Sequence, residues 1–115
     1  MPATVYSAAT IGLDGVLVAV ETDVLQAGLH AFTLVGLPDT AIREARDRVS
    51  AAIKNCGFEP PHHSGRVTVN LAPADLQKNS SMYDLPIALA FLKATGQLEF
   101  ESKQRMFVGE LSLDG

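Results

Sequence analysis

The chain has 115 residues, 47% of them hydrophobic, which suffices for one core and excludes a disordered chain. Nine basic against thirteen acidic residues give a net charge of −4, which argues against a dedicated nucleic-acid-binding domain. One cysteine excludes an intramolecular disulfide, the N-terminus lacks a signal-peptide pattern, and no uncharged apolar run reaches the roughly 18 residues that span a bilayer, so a cytoplasmic location is expected.

Thr4–Ile11 and Val16–Leu25 are β-branched runs joined by Gly12-Leu13-Asp14-Gly15, and the Asp-Gly pair signals a hairpin. Both faces of the second run are apolar early and polar later, so it is expected to run from the core toward an edge. A turn beginning at Gln26-Ala27-Gly28 leads to a third strand, Ala31–Val35, and the three strands read as an antiparallel meander. Asp39 reads as the N-cap of a helix. Ile42, Ala45, Val49, Ala52, Ile53 and Cys56 recur every three or four residues and form one apolar stripe. On that stripe Cys56 reads as a buried small hydrophobe rather than a reactive thiol. Glu44 precedes Arg48 by four, the favourable order for a surface pair. Gly57 stops the helix, and Pro60-Pro61 prevent its continuation.

After His62-His63-Ser64-Gly65 a strand is expected over Val67–Leu71, followed by a polar loop. The loop ends at Asp84, which reads as the cap of a helix from about Leu85 to Thr95 with Pro86 in its first turn. That helix is apolar almost all round, so it should be the more buried of the two, and Gly96 ends it. A last strand is expected near Met106–Gly109. The order is βββ-α-β-α-β in a single domain, 1–115. Asp114-Gly115 is a turn signal with no returning strand after it, so the chain reads as a piece of a longer protein, truncated at the C-terminal end of its domain.

Four blocks, VGLPDTAIREARDRVSAAIKNCGFEPP (35–61), VTVNLAPADL (67–76), YDLPIALAFL (83–92) and GELSLDG (109–115), resemble the N-terminal domain of the ComM/YifB family. These are bacterial proteins described as magnesium-chelatase-like, or as competence-associated AAA+ ATPases. The resemblance implies an α+β, two-layer α/β fold of the ribosomal protein S5 domain 2-like type, with a mixed sheet and both helices on one face. It also implies a left-handed β-α-β crossover over 67–109, against the general right-handed rule. For the parent chain it implies an AAA+ domain with ATP and Mg, a homo-hexamer, and branch migration of DNA in uptake and recombination. The partners implied for this domain are its own AAA+ domain and neighbouring subunits, with DNA for the parent protein and no membrane.

The 77–83 loop resembles the one that carries the nucleophilic serine of Lon-type proteases. Met82 stands at the suspected nucleophile position, and a thioether cannot attack a carbonyl. Where the family shows a Lys-Glu-Gly-Pro-Ser-type loop, this chain has Lys78-Asn79-Ser80-Ser81-Met82. Ser80 and Ser81 lie beside the position, so an active or vestigial Lon-like serine peptidase is the alternative reading. A serine nucleophile needs a base. In Lon-like proteases that base is a lysine well beyond the loop, and Lys78 stands on the wrong side of the motif. The ordinary reading makes Asn79, Ser80 and Ser81 turn residues in an exposed loop.

Arg43, Arg46 and Lys54 fall on one helical face and form a weak candidate stripe for phosphate contact, interrupted by Asp47. His62-His63 with Cys56 match no standard zinc spacing. No GxxxxGK[ST] is present, so no P-loop and no cofactor is expected in this chain itself. A magnesium-chelatase subunit finds no porphyrin or metal ligands here. The reading that results is a non-catalytic accessory domain of a ComM/YifB-type AAA+ ATPase.

Overall fold

A computed structural model describes residues 2–26, 28–74, 76, 78 and 81–115. β1 (Ala3–Ile11) and β2 (Asp14–Leu25) form an antiparallel hairpin in which Ile11 pairs with Asp14. The turn is therefore Gly12-Leu13, not Asp14-Gly15, which lie inside β2. Gly12 sits at φ +61°, and glycine first in a two-residue loop suits the type II′ turn, whose twist matches the flanking strands.

β3 (Ala31–Val35) does not complete a meander. It pairs parallel with β4 (Arg66–Ala72), which lies antiparallel to β2 on its other side, giving the order β1-β2-β4-β3. Parallel neighbours need a crossover connection, and α1 (Asp39–Asn55) supplies it. The chain leaves β3 through Gly36, at φ +99°, so close to β4 that a Cβ there would collide with the carbonyl oxygen of Leu71.

Asp39 is the first helical residue rather than the cap. Pro38 takes the N-cap position, and no side chain bonds to the free amides. The carboxylate still sits at the positive end of the helix dipole. At the other end, Gly57 N–H bonds to Lys54 O at 3.0 Å and Phe58 N–H to Ile53 O at 3.1 Å, which is a Schellman closure around a left-handed glycine. α2 (Asp84–Ala94) ends the same way around Gly96, with Gly96 N–H on Lys93 O and Gln97 N–H on Leu92 O.

The register explains the core. Val5, Val20 and Leu71 form one row across the sheet, and Thr22, Val69 and Leu34 the next, all buried. α2 packs Ile87, Ala90 and Phe91 into the core, and α1 packs Ala45, Val49 and Ile53. Full burial of a large apolar side chain is worth roughly 1.5–3 kcal/mol. α2, with Ile87, Phe91 and Leu92, is therefore the stronger anchor, as its all-round apolar sequence predicts. The opposite sheet face carries Thr68, Leu17 and Glu21, with Asn70 Nδ2 donating to Glu21 Oε1 at 3.3 Å. The molecule is a two-layer α+β domain with a mixed sheet and both helices on one face.

Three further expectations need correction. Cys56 is exposed, because its stripe runs past the end of α1 and off the sheet. β2 does not run from core to edge: its burial begins at Val18, and its first residues project beyond the body of the sheet. Residues 106–109 form no strand. Phe107 N–H makes one bond to Tyr6 O at 2.8 Å, and the chain then turns to the start of α2. No β-α-β crossover therefore closes over 67–109, and the parallel unit is β3–α1–β4. Among the described residues, no helix is long and apolar enough to cross a membrane.

Candidate functional site

β4 delivers the chain to the loop before α2. A loop has no ladder partner for its carbonyls, so they need other donors. Lys78 supplies them from inside. Its side chain is only 1% exposed, and Nζ donates to Pro73 O and to Leu76 O, the latter at 2.8 Å. The 77–83 loop is therefore not exposed throughout: the Lys78 side chain is buried against two backbone carbonyls, a feature the sequence reading missed. Lysine is seldom fully buried, and nothing local in Lys78-Asn79-Ser80 announces it. Asn79 and Ser80, read as turn residues, lie outside the described residues.

Ser81–Tyr83 form a single 3-10 turn leading into α2. The Ser81 hydroxyl donates to the Glu110 carboxylate. Met82 is 44% exposed, and its carbonyl accepts the Gly109 N–H at 2.8 Å. Gly109 O in turn accepts the Leu85 N–H at 2.9 Å. The turn before α2 and the 109–111 segment are thus stitched together.

Asp84 is the centre of this junction, and it is not the helix cap. Tyr83 holds the N-cap position, and Asp84 is the first residue of α2, only 1% exposed. A buried carboxylate must be paired and hydrogen-bonded. Arg48 of α1 meets it with a fork: Nε donates to Oδ2 at 2.6 Å and Nη2 to Oδ1 at 3.1 Å. Leu111 N–H also donates to Oδ2, at 3.1 Å. One carboxylate therefore ties α1, α2 and the 109–113 segment. Glu44, the expected surface partner of Arg48, is only a lateral contact at 3.8 Å. The Arg48 guanidinium is held above its ordinary range, chiefly by its hydrogen bonds to Asp84; partial burial opposes the shift, and the charges of Asp84, Glu110 and Glu44 add to it.

Beside this pair is a cavity of about 60 Å³, bordered by Leu37, Ala45, Arg48, Ser81, Tyr83 and Ile87. It is water-sized rather than substrate-sized. The chemistry of the junction is that of a clamp: Arg48 is committed to Asp84, and Ser81 to Glu110.

The other expected residues lie elsewhere. Arg43, Arg46 and Lys54 are all exposed on α1, but Arg46 Nη1 reaches back to Phe32 O at 3.4 Å. His62 and His63 meet edge-on with ring centroids 4.3 Å apart, and His30 Nδ1 lies 3.1 Å from His62 O. Among the described residues, no three His, Cys, Asp or Glu side chains gather closely enough to hold a metal ion.

A family profile described as "Subunit ChlI of Mg-chelatase" matches residues 20–115. The competence protein ComM of Haemophilus influenzae is 48% identical over 114 residues, covering 98% of this chain and 22% of that protein. The protein YifB of Escherichia coli is 46% identical over 112 residues, covering 96% of this chain and 22% of its own length. The YifB protein of Salmonella typhimurium is 45% identical over 114 residues, with 98% and 22% covered. The chain thus spans about 22% of the length of these relatives. A profile match over most of the chain and near-half identity over almost all of it lead to one conclusion: the chain belongs to the magnesium-chelatase-like ComM/YifB family.

Proposed function

We propose that this chain is a non-catalytic accessory domain of a ComM/YifB-type AAA+ ATPase, one that acts in the cytoplasm. The parent protein would bind ATP and Mg in a separate domain, assemble as a homo-hexamer, and drive branch migration of DNA during uptake and recombination. The observation that carries the reading is the Asp84 junction. At the place where the Lon-like resemblance calls for a nucleophile, Met82 faces outward. The neighbouring hydrogen-bonding groups tie α1, α2 and 109–113 together, which supports a structural role. The competence label of the Haemophilus relative supports the DNA-uptake part. The chain's own acidity supports an assembly or guiding role over direct DNA grip.

The test compares full-length protein with a variant lacking residues 1–115. ATP hydrolysis should survive the deletion, and hexamer formation or branch migration of a synthetic four-way junction should fall. Unchanged assembly and branch migration would remove the accessory role. In the same full-length protein, Ser81→Ala should leave any casein or peptide hydrolysis untouched. Loss of such hydrolysis would favour the serine-peptidase reading instead.

A further inference from the structure

Beyond the end of α2 the chain makes a tight turn at Lys103-Gln104. Gln104 sits at φ +59°, in the left-handed region, and among the described residues no other residue except glycine does so. Such a position ordinarily takes glycine or asparagine, and a glutamine held there is strained. The base of the turn is fixed to the core. Lys93 of α2 donates through Nζ to Ser102 Oγ at 2.6 Å and lies 5.1 Å from the centre of the Phe100 ring. Phe100 in turn meets Phe107 edge-on, with ring centroids 5.7 Å apart. Ser102 is buried, whereas Glu101, Lys103, Gln104 and Arg105 are all exposed.

The exposed tip is polar and carries two uncommitted cations. Glu101, Lys103, Gln104 and Arg105 border an open concavity of about 520 Å³ with no apolar side chain on its rim. Among the described residues, the ion pairs belong to Arg48, and none involves Lys103 or Arg105. The Glu101 carboxylate accepts the Lys103 backbone N–H at 3.0 Å instead. An anion therefore already rests on this turn, and it is supplied by the turn's own side chain.

We propose that the 101–105 turn is a phosphate contact through which this domain guides duplex DNA. Lysine, arginine, glutamine and backbone amides hold phosphodiesters and position a duplex without reading its sequence. A protein partner would call for an apolar or aromatic anchor at the centre of the contact, and the concavity offers none. Two cations release few counterions, so the contact is weak and salt-sensitive, as guiding requires and as the net charge of −4 demands. This rests on the reading of the parent protein as DNA-acting, and it names the element that meets the duplex.

Lysine footprinting tests it in the full-length protein. With acetic anhydride and peptide mapping, Lys103 should be reactive in free protein and several-fold less reactive with bound duplex, while exposed Lys54 on α1 stays unchanged. A Lys103 that stays equally reactive on bound DNA, or that is already shielded before DNA is added, would overturn the contact and leave the DNA-acting parent standing. Full-length protein that binds no DNA would remove that parent reading itself, and the contact with it. Salt titration supplies a second arm. Lys103→Gln combined with Arg105→Gln should flatten the slope of log K against log salt by about two, with unchanged thermal melting. An unchanged slope would refute the proposal. Glu101→Gln removes the resident carboxylate and should tighten DNA binding, and weaker binding in that variant would count against a phosphate in its place.

Discussion

Removing Arg48 and removing Asp84 should not cost the same. Arg48→Ala leaves a carboxylate that is 1% exposed with Leu111 N–H as its one remaining donor among the described residues, and losing one partner of a buried pair costs about 3–5 kcal/mol. Asp84→Asn leaves a guanidinium whose side chain is 23% exposed and can turn to water, and should cost about 1–3 kcal/mol. Urea denaturation of both variants checks the order, and equal losses would show that Asp84 is not the buried member of the pair. Neighbouring Tyr83 gives a pH signature. Burial raises its phenol above the ordinary range, so the folded state favours the neutral form. Below about pH 10 both states are protonated and the contribution is constant; above it the unfolded chain ionises first, and stability falls until the folded phenol also titrates. Tyr83→Phe should remove that alkaline fall and leave neutral-pH stability nearly unchanged, as read from urea midpoints between about pH 8 and 11.5. Deeper in the sheet, the Ser7 and Thr22 hydroxyls are buried and make no hydrogen bond among the described residues. Thr22→Val keeps the shape and removes an unsatisfied group, so it should stabilise the domain by about 1 kcal/mol in the same assay.

At the scale of elements, the first four strands and both helices were legible because each carries its own period and stop signal, whereas the strand expected near Met106–Gly109 did not form. The Ala45, Val49, Ala52, Ile53 stripe and the Gly57 and Gly96 closures are local features, and they hold. What failed was pairing. Consecutive strands usually neighbour one another, so Val16–Leu25 and Ala31–Val35 read as partners. The chain instead passes through α1 and inserts β4 between them, a long-range choice recorded in no single segment. The cap readings at Asp39 and Asp84 failed for a related reason. Both residues lie one position inside their helices, and Asp84 takes a partner 36 residues away in sequence. Gly36 marks the cost of the insertion. An alanine there meets both a left-handed backbone and the Leu71 carbonyl, so Gly36→Ala should destabilise the domain by about 1–3 kcal/mol or more, whereas Gly57→Ala, with open space around its Cβ, should cost only the backbone part. Similar losses at both positions, measured by thermal melting, would mean that β3 and β4 can part to admit a methyl group.

For the whole molecule, the layer architecture was legible through the family resemblance of four sequence blocks, which implies two layers with a mixed sheet and both helices on one face. The Asp84 junction was not, since a buried Arg–Asp fork and an exposed i,i+4 pair look alike until the fold places α2 against α1. The same limit governs DNA contact. Arg43, Arg46 and Lys54 share a helix with Asp39, Glu44 and Asp47, and Arg46 is partly engaged by the Phe32 carbonyl. Two remaining exposed cations on that face, in a chain of net charge −4, release few counterions from a duplex. The isolated chain should therefore bind duplex DNA with a Kd of roughly 10⁻⁴ M or weaker at physiological salt, with a shallow salt dependence. Replacing Arg43, Arg46 and Lys54 together with alanine should change fluorescence anisotropy titrations little. Micromolar binding that steepens at low salt and vanishes in the triple variant would make the α1 face a nucleic-acid surface, and the accessory role would then include direct grip on DNA.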